Sequence, residues 1–143
     1  MRNTKDTVAF HIARLYRDFL SYTSEELKKL GLSYGQLPLI LFTAKHPGCT
    51  QAELTKGLRL DWGYSQRSVT KLVMSGFMNK EYTKEKAGNC LSLTEKGQQA
   101  FELSHGLFYN WDSLKSSGLS HEEKETLVYL LSKITQDSKE SVK

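Results

Sequence analysis

The chain has 143 residues, a length that fits one domain or two small lobes sharing a core. Hydrophobic residues make up 38% of it and charged residues 25%, a balance that excludes a disordered chain. The longest nearly apolar run, residues 37–44, is too short to cross a bilayer, and the polar N-terminus lacks a signal-peptide core. We therefore expect a cytoplasmic protein that does not interact with membranes.

The net charge of +4 is unevenly distributed along the chain. Residues 56–96 hold eight basic and four acidic residues, whereas residues 97–143 hold five basic and seven acidic residues. Positive charge concentrated in one segment is typical of a surface that faces phosphate groups. Because surface lysines are common in all proteins, charge alone does not identify a nucleic-acid-binding surface.

The sequence lacks the residue patterns of the common enzyme classes. It has no glycine-rich phosphate loop, no G-x-S-x-G turn and no H-E-x-x-H helix. Its four histidines have no metal-ligand spacing, and Cys49 and Cys90 form neither a metal pair nor a disulfide framework. We predict a protein that is not an enzyme, has no catalytic residues and uses no cofactor or metal.

Apolar residues recur with helical spacing over residues 4–30 and again over residues 34–46. The first pattern predicts a helix about 38 Å long, which exceeds the needs of a small domain. Gly31 follows it as a helix stop. This long, aromatic-rich helix is a candidate for subunit association, with a peripheral core helix as the alternative.

Two short helical patterns then follow, with a tight turn between them. Thr50 and Glu53 form a capping box before the first helix, and Asp61 can cap the second. Gly57 is predicted to end the first helix, in a turn formed by residues 57–60. This order of elements is that of a helix-turn-helix, whose second helix reads the DNA major groove.

The second of these helices is predicted from about residue 62 to residue 75 and has one polar face. Arginine can pair with guanine and glutamine with adenine through two hydrogen bonds, while threonine and lysine suit phosphates. A solvated polar face is the alternative interpretation. The spacing turns Ser65 toward the core, but we include it with its neighbours. The predicted DNA-binding residues of this helix are Tyr64, Ser65, Gln66, Arg67, Thr70 and Lys71.

Strand-like segments at residues 77–83 and 90–93 come next, separated by a polar tip. Gly88 and Asn89 both tolerate a positive φ, which predicts the hairpin turn at these two residues. Lys84 and Lys86 lie at the tip and can reach a phosphate or a minor groove, so we add them to the predicted DNA-binding set.

Two more helices are predicted, one capped by Thr94 and one opened by a capping box at Ser120. The predicted fold is mainly α with a small β-hairpin wing, a winged helix-turn-helix flanked by long dimerisation helices. We assign residues 33–97 to DNA binding, and residues 1–32 and 98–143 to a helical dimerisation region.

The order of elements and several local phrases resemble the MarR family of winged-helix transcription regulators. The phrases are the Gln36 helix with HPGCTQAELTKGL after it, the recognition segment from Asp61 to Gly76, and LTEKG at residues 93–97. The resemblance extends from about residue 5 to residue 136. It implies a homodimer that presents two winged helices to a pseudo-palindrome in double-stranded DNA. It also implies regulation of transcription, most often repression relieved by a ligand that enters a cleft beside the dimer helices.

The wing departs from the pattern of the family. The family's wing usually carries Asp-x-Arg, whose arginine reaches into the minor groove, but residues 85–87 here are Glu, Lys and Ala. Lys84 or Lys86 can substitute as point charges, although lysine lacks the planar guanidinium fork. We therefore expect weaker minor-groove readout and a specificity that depends more on the recognition helix.

No residue pattern identifies a ligand. Aromatic residues on the first helix can line an apolar cleft for a small lipophilic or phenolic compound, and we predict His11, Tyr16 and Phe19 as cleft residues; core or interface packing is the alternative. Two other functions stay open. One is a winged-helix protein–protein interaction module. The other is a cysteine-based redox-sensing regulator, since Cys49 lies near a helix N-terminus that can lower its pKa.

Overall fold

A computed structural model of the protein describes residues 2–142, with side chains described as far as residue 136. In chain order, the elements are α1 (Val8–Lys28), α2 (Leu37–Lys45), α3 (Gln51–Gly57), α4 (Trp62–Met74), β1 (Met78–Thr83), β2 (Gly88–Leu93), α5 (Glu95–Lys115) and α6 (His121–Val142). The two strands pair antiparallel, with Met78 opposite Leu93 and Thr83 opposite Gly88. The predicted fold class, mainly α with a β-hairpin wing, is confirmed.

Helix α1 begins at Val8, four residues later than its apolar pattern predicts. Thr7 caps it, because the Thr7 hydroxyl accepts a hydrogen bond from an N–H of the first turn. At the other end, Gly31 adopts a left-handed φ of 83° as predicted. The N–H of Leu32 then donates to the carbonyl of Leu27 at 3.0 Å, which satisfies one of the carbonyls that a helix end leaves free.

The hydrophobic core lies in the first of two compact units, Met1–Leu107. Fully burying a large aliphatic or aromatic side chain contributes about 1.5–3 kcal/mol, so the winged helix has a substantial core of its own. The fully or almost fully buried side chains include Leu27, Leu39, Ile40, Leu54, Val69, Leu72, Phe77 and Leu91. These residues come from α1 to α4, from the residue before β1 and from β2, and they hold the helix-turn-helix and the wing together.

The second compact unit, Phe108–Lys143, contains the end of α5 and all of α6. Its predicted capping box is present: Ser120 Oγ accepts from the N–H of Glu123 at 3.1 Å, and Glu123 Oε1 accepts from the N–H of Ser120 at 2.9 Å. Lys124 Nζ lies 2.7 Å from Asp112 Oδ2 and links the two helices. No side chain described between residues 108 and 136 is buried, so this unit has no core of its own.

Packing divides the chain after Leu107, whereas the predicted regions divide it at residues 32 and 97. The predicted division concerns which residues form a dimer, and it stays a prediction. Its two terminal residues, Met1 and Lys143, lie outside the described part of the chain. Among the described residues, no helix is both long and apolar enough to cross a membrane.

Candidate nucleic-acid interface

Helix α3 ends at Gly57, as predicted, and the turn to α4 follows. Arg59 in this turn has a left-handed φ of 53°, and the N–H of Leu60 donates to the carbonyl of Thr55 at 2.9 Å. Gly57 is also needed for close packing, because a Cβ atom at this position would lie 2.5 Å from the ring of Phe42. A glycine in a turn sequence indicates a special position but does not reveal which requirement it meets.

Ser65 is not available to DNA, which corrects its place in the predicted set. Its side chain is fully buried, and its hydroxyl lies 2.6 Å from the hydroxyl of Thr55 in α3. Thr55 in turn donates to the carbonyl of Gln51. Ser65 therefore joins the two helices of the helix-turn-helix, because burying an unpaired hydroxyl would be costly.

The N-terminal end of α4 is capped as predicted. Asp61 Oδ2 accepts from the N–H of Tyr64 at 3.0 Å, and the negative carboxylate also suits the positive end of the helix dipole. Tyr64 is exposed, and its hydroxyl lies close to Gly35, where an added Cβ would be 3.1 Å away. The Tyr64 ring thus lies at the N-terminal end of the exposed face of α4.

The other predicted residues of α4 lie together on its surface. Gln66, Arg67, Thr70 and Lys71 are all exposed, and they line one shallow groove. Arg67 Nη1 lies over Gly63, at whose position an ideal Cβ would be 3.1 Å from this nitrogen, so glycine leaves room for the guanidinium. The groove combines a planar cation, an amide and a hydroxyl, which are the groups that read base edges and phosphates.

Two exposed residues beside this face were not included in the predicted set. Trp62 at the start of α4 is 51% exposed, and Arg59 lies in the preceding turn with its side chain exposed. Their positions on either side of the Asp61 cap are the sequence signal that could have identified them. Large exposed aromatic side chains and arginines are frequent in recognition surfaces.

The wing turn also differs from the prediction. The strands extend to Thr83 and Gly88, and the turn residue with positive φ is Ala87, at 51°, instead of Gly88 or Asn89. The N–H of Ala87 donates to the carbonyl of Lys84 at 3.2 Å and closes the turn. The local preference for a turn at Gly88 and Asn89 is overridden here, because pairing along the other edge of β2 fixes the register of this strand.

That other edge pairs with residues 48–50, a contact that the sequence pattern did not indicate. The N–H of Gly48 donates to the carbonyl of Leu91 at 2.9 Å, and the N–H of Leu91 donates to the carbonyl of Cys49 at 2.7 Å. A further bridge joins Thr50 to Cys90. The segment before α3 therefore acts as a short third strand and fixes the wing to the helix-turn-helix.

The two predicted wing lysines are in different environments. Lys86 is exposed, but its Nζ donates to the carbonyl of Gly48 at 2.9 Å, which ties the wing tip to the turn before α3. Lys84 is also exposed, and the structure records no polar partner for it among the described residues. Lys84 is consequently the freer of the two to contact a phosphate.

Cys49 does not have the properties expected of a thiol activated by a helix N-terminus. Cys49 is buried, and burial raises its pKa above the ordinary value, with Glu53 adding to the effect and Lys86 opposing it. The prediction that this pKa is lowered is therefore wrong, because desolvation by burial is the largest effect on the Cys49 thiol. Cys90 is half-buried, and its Sγ lies 3.3 Å from the hydroxyl of Thr83.

The three predicted ligand-cleft residues lie on α1. His11 and Tyr16 are exposed, Phe19 is half-buried, and His11 Nε2 lies 2.9 Å from the carbonyl of Lys5. In the described part of the chain, no three His, Cys, Asp or Glu side chains come together in a way that could hold a metal ion.

Comparison with known proteins identifies the family. HTH-type transcriptional regulator BilQ of Clostridium symbiosum (strain WAL-14163) is 40% identical over 131 residues, 91% of each chain. The structure of reduced MarR from E. coli aligns with a TM-score of 0.78 and 25% identity, over 92% of this chain and 98% of that one. MepR of Staphylococcus aureus has the same fold, with a TM-score of 0.80 at 18% identity over the same shares. No protein-family model matches the chain.

These relatives are transcriptional regulators and not enzymes, which confirms the prediction that the protein is not an enzyme. The observed order of helix-turn-helix, hairpin wing and long C-terminal helices is the order that the resemblance implied. The identity and coverage of the curated relative, together with this architecture, show that the chain belongs to the MarR family of winged-helix transcriptional regulators.

Proposed function

We propose that this protein is a cytoplasmic repressor that binds a pseudo-palindromic operator as a homodimer and leaves it when a small ligand binds. The observation that carries the proposal is the exposed groove on α4, where Gln66, Arg67, Thr70 and Lys71 lie side by side. The helix beneath them is capped by Asp61 and packed on the core through Val69 and Leu72.

Each exposed residue of α4 has a chemically distinct role in this proposal. Arg67 reads guanine and Gln66 reads adenine through paired hydrogen bonds in the major groove. The hydroxyl of Thr70 already donates to the carbonyl of Gln66 at 2.8 Å, so it contacts DNA as an acceptor or through a water. Lys71 contacts the phosphate backbone, and Tyr64 contacts the DNA near the N-terminal end of α4.

Unburied apolar surface supports the homodimer. On α1, the side chains of Val8, Ile12 and Tyr16 are between 43% and 61% exposed. On α6, the side chains of Leu127, Val128, Leu130 and Ile134 are between 44% and 55% exposed, and their unit has no buried side chain among residues 108–136. Apolar surface of this extent on a soluble regulator indicates a protein interface, and a second copy is the partner that a palindromic site requires.

Ligand control is proposed from the aromatic character of α1. Tyr16 is 57% exposed and Phe19 is half-buried, and the polar group beside them is the exposed imidazole of His11, whose Nε2 lies 2.9 Å from the carbonyl of Lys5. A lipophilic or phenolic compound would match this mixture of rings and one imidazole. The test is release of operator DNA on addition of such a compound, compared between the wild type and Tyr16→Ala.

The decisive experiment is selection of bound sequences from random double-stranded DNA, followed by titration of the selected duplex at several salt concentrations. We expect a two-fold symmetric sequence whose half-site centres lie about 34–36 Å apart. We also expect affinity to fall steeply with salt, with a log–log slope of about −0.9 per phosphate contact. A reporter gene placed behind the selected sequence then shows whether binding represses transcription.

The protein–protein interaction module is the second candidate, and the acidic excess of residues 97–143 favours it over a wholly basic DNA-binding surface. It predicts no selected sequence and a flat salt response. The same titration therefore separates the two functions.

Redox control is a third candidate, and the structure provides two thiols of different accessibility. Because Cys49 is buried with a raised pKa, we expect Cys90 to be alkylated by iodoacetamide well before Cys49. The Cys49→Ser, Cys90→Ser double variant should still bind DNA with the affinity of the wild type. If peroxide releases DNA from the wild type but not from this variant, the thiols are the sensor.

A further inference from the structure

The C-terminal end of the recognition helix α4 is bound by residues 93–97, the segment that joins β2 to α5. Helix α4 is followed by Ser75, by Gly76 with a φ of 83°, and by the buried Phe77. The backbone carbonyls of these three consecutive residues have no partner within α4, and each needs a hydrogen-bond donor.

Thr94 and Lys96 supply all three donors. Lys96 Nζ donates to the carbonyl of Ser75 at 3.0 Å, the Thr94 hydroxyl donates to the carbonyl of Gly76, and the Thr94 N–H donates to the carbonyl of Phe77 at 3.1 Å. The Thr94 hydroxyl also accepts from the N–H of Gly97 at 3.0 Å and so caps α5. The end of α4 and the start of α5 therefore share one hydrogen-bonded junction.

Lys96 makes a second interaction at this junction, because its Nζ lies 4.4 Å from the centroid of the Phe77 ring. Phe77 is 1% exposed, so the ring is held by the core and offers a fixed face to the ammonium group. A cation at the C-terminal end of a helix is also favoured by the helix dipole. The helix dipole, the carbonyl of Ser75 and the ring of Phe77 therefore all attract the ammonium group of Lys96.

We propose that Lys96 is a positioning residue for DNA recognition, which holds α4 at the axial position and rotation that its reading residues need. Ser75 lies eight residues beyond Arg67, about 12 Å along the helix axis, so Lys96 acts through the helix and not on the bases that Arg67 contacts. A hydrogen-bonded readout depends on such placement because base contacts tolerate little displacement. The inference rests on the proposed DNA-binding function.

The test compares three variants of the full chain on a selected operator and on a random duplex of equal length. Lys96→Met removes the ammonium but keeps an aliphatic side chain, Lys96→Arg keeps the charge, the donor and the ring contact, and Lys28→Met is a control that removes an exposed lysine from α1. We expect Lys96→Met to weaken operator binding about 5- to 30-fold, the range of one charge–dipole contact and one cation–π contact together. Lys96→Arg and Lys28→Met should stay within about twofold of the wild type.

Two readouts separate positioning from the other roles that Lys96 could have. A positioning residue leaves the salt slope and the affinity for random DNA unchanged, whereas a direct phosphate contact lowers the slope by about 0.9 and weakens both duplexes equally. That second result would overturn the inference. So would an operator affinity that is unchanged in Lys96→Met, or an Lys96→Arg protein as weak as Lys96→Met.

Amide hydrogen exchange without DNA tests the junction independently of the proposed function. Lys96→Met should accelerate exchange of the Gly76 and Phe77 amides about fivefold or more, while amides in α2 keep their wild-type rates. Unchanged exchange at Gly76 and Phe77 would refute the junction itself. A wild type that binds no DNA would instead refute the proposed function, with the exchange result still deciding whether Lys96 holds α4.

Discussion

The recognition helix and the wing are held in the molecule by different means. Helix α4 is fixed at both ends, by the Asp61 cap and by the junction with Thr94 and Lys96, and along its buried side by the Ser65 hydroxyl. The wing is fixed along one edge by residues 48–50, but at its tip the side-chain hydrogen bond to the rest of the protein, among the described residues, is that of the long Lys86 side chain to Gly48.

This difference matches the chemistry that each element presents. Base edges demand exact hydrogen-bond geometry, and the arginine and glutamine that can read them lie on the rigid element. Phosphates accept a point charge from many directions, and two of the three lysines proposed to contact them, Lys84 and Lys86, lie on the less constrained tip. Five substitutions, grouped in four tests that run from the largest expected effect to the smallest, show how far this division holds.

Gly97→Ala should damage the anchoring of α4 most. A Cβ at this position would lie 2.0 Å from the carbonyl oxygen of Phe77, a backbone atom that cannot move without displacing the end of α4. We expect the free energy of unfolding to fall by about 3 kcal/mol or more in a urea titration. Gly106→Ala in the same helix has open space around its Cβ and should instead gain about 0.5–1 kcal/mol. Equal effects of the two substitutions on the free energy of unfolding would show that the junction has room for a Cβ atom at residue 97.

Arg67→Ala tests the reading function of α4. We expect a loss of about 1–3 kcal/mol in operator binding and a relaxed preference at one base pair, measured by titration of the selected duplex and its single-base variants. Arg2→Ala removes the same charge far along the chain and is the control. Full affinity and full preference in Arg67→Ala would refute the assignment of α4 as the specificity element.

Lys84→Met and Lys86→Met test the wing. Because Lys84 is exposed and Lys86 is bound to Gly48, the first substitution should lower the salt slope by about 0.9 and the second should lower it less. Both should weaken operator and random DNA alike, in contrast to Arg67→Ala. The reverse order of the two lysines would mean that DNA displaces Lys86 from Gly48.

Arg59→Gly should have the smallest effect, and it should raise the free energy of unfolding, whereas Gly97→Ala lowers it. Arg59 holds a left-handed φ of 53°, which costs a residue with a side chain roughly 1 kcal/mol. Glycine should therefore raise the free energy of unfolding by about 0.5–1 kcal/mol, measured by urea denaturation without DNA. Gly31→Ala, at a φ of 83° with open space around it, is the matched reverse change and should lower stability by a similar amount.

Local signals predicted the elements and most of their ends. Thr50, Asp61, Thr94 and Ser120 cap the helices that their positions indicated, and Gly31 and Gly76 have the left-handed φ of helix stops. These features depend on neighbouring residues alone, which is why the sequence pattern finds them. The exposed polar face of α4 was predicted for the same reason, since helical spacing separates it from Val69 and Leu72.

Predictions failed where a contact distant in sequence outweighed a local preference. Ala87 took the left-handed position that was predicted for Gly88 or Asn89, which have more suitable backbones. Cys49 proved to be desolvated instead of activated. In both cases the competing term is tertiary: a strand paired at its other edge, or a thiol removed from water.

The sequence by itself determined the helices, the hairpin, the exposed polar face of α4 and the family, because periodicity, capping and local phrases need no partner beyond a few residues. Only the tertiary structure decided what holds this polar face in place. The junction of Thr94, Lys96 and Gly97 with the end of α4 brings together residues about twenty positions apart, and the pairing of residues 48–50 with β2 brings together residues about forty apart. Such contacts form only when the hydrophobic core closes around Phe77 and Leu91, and no local pattern encodes them.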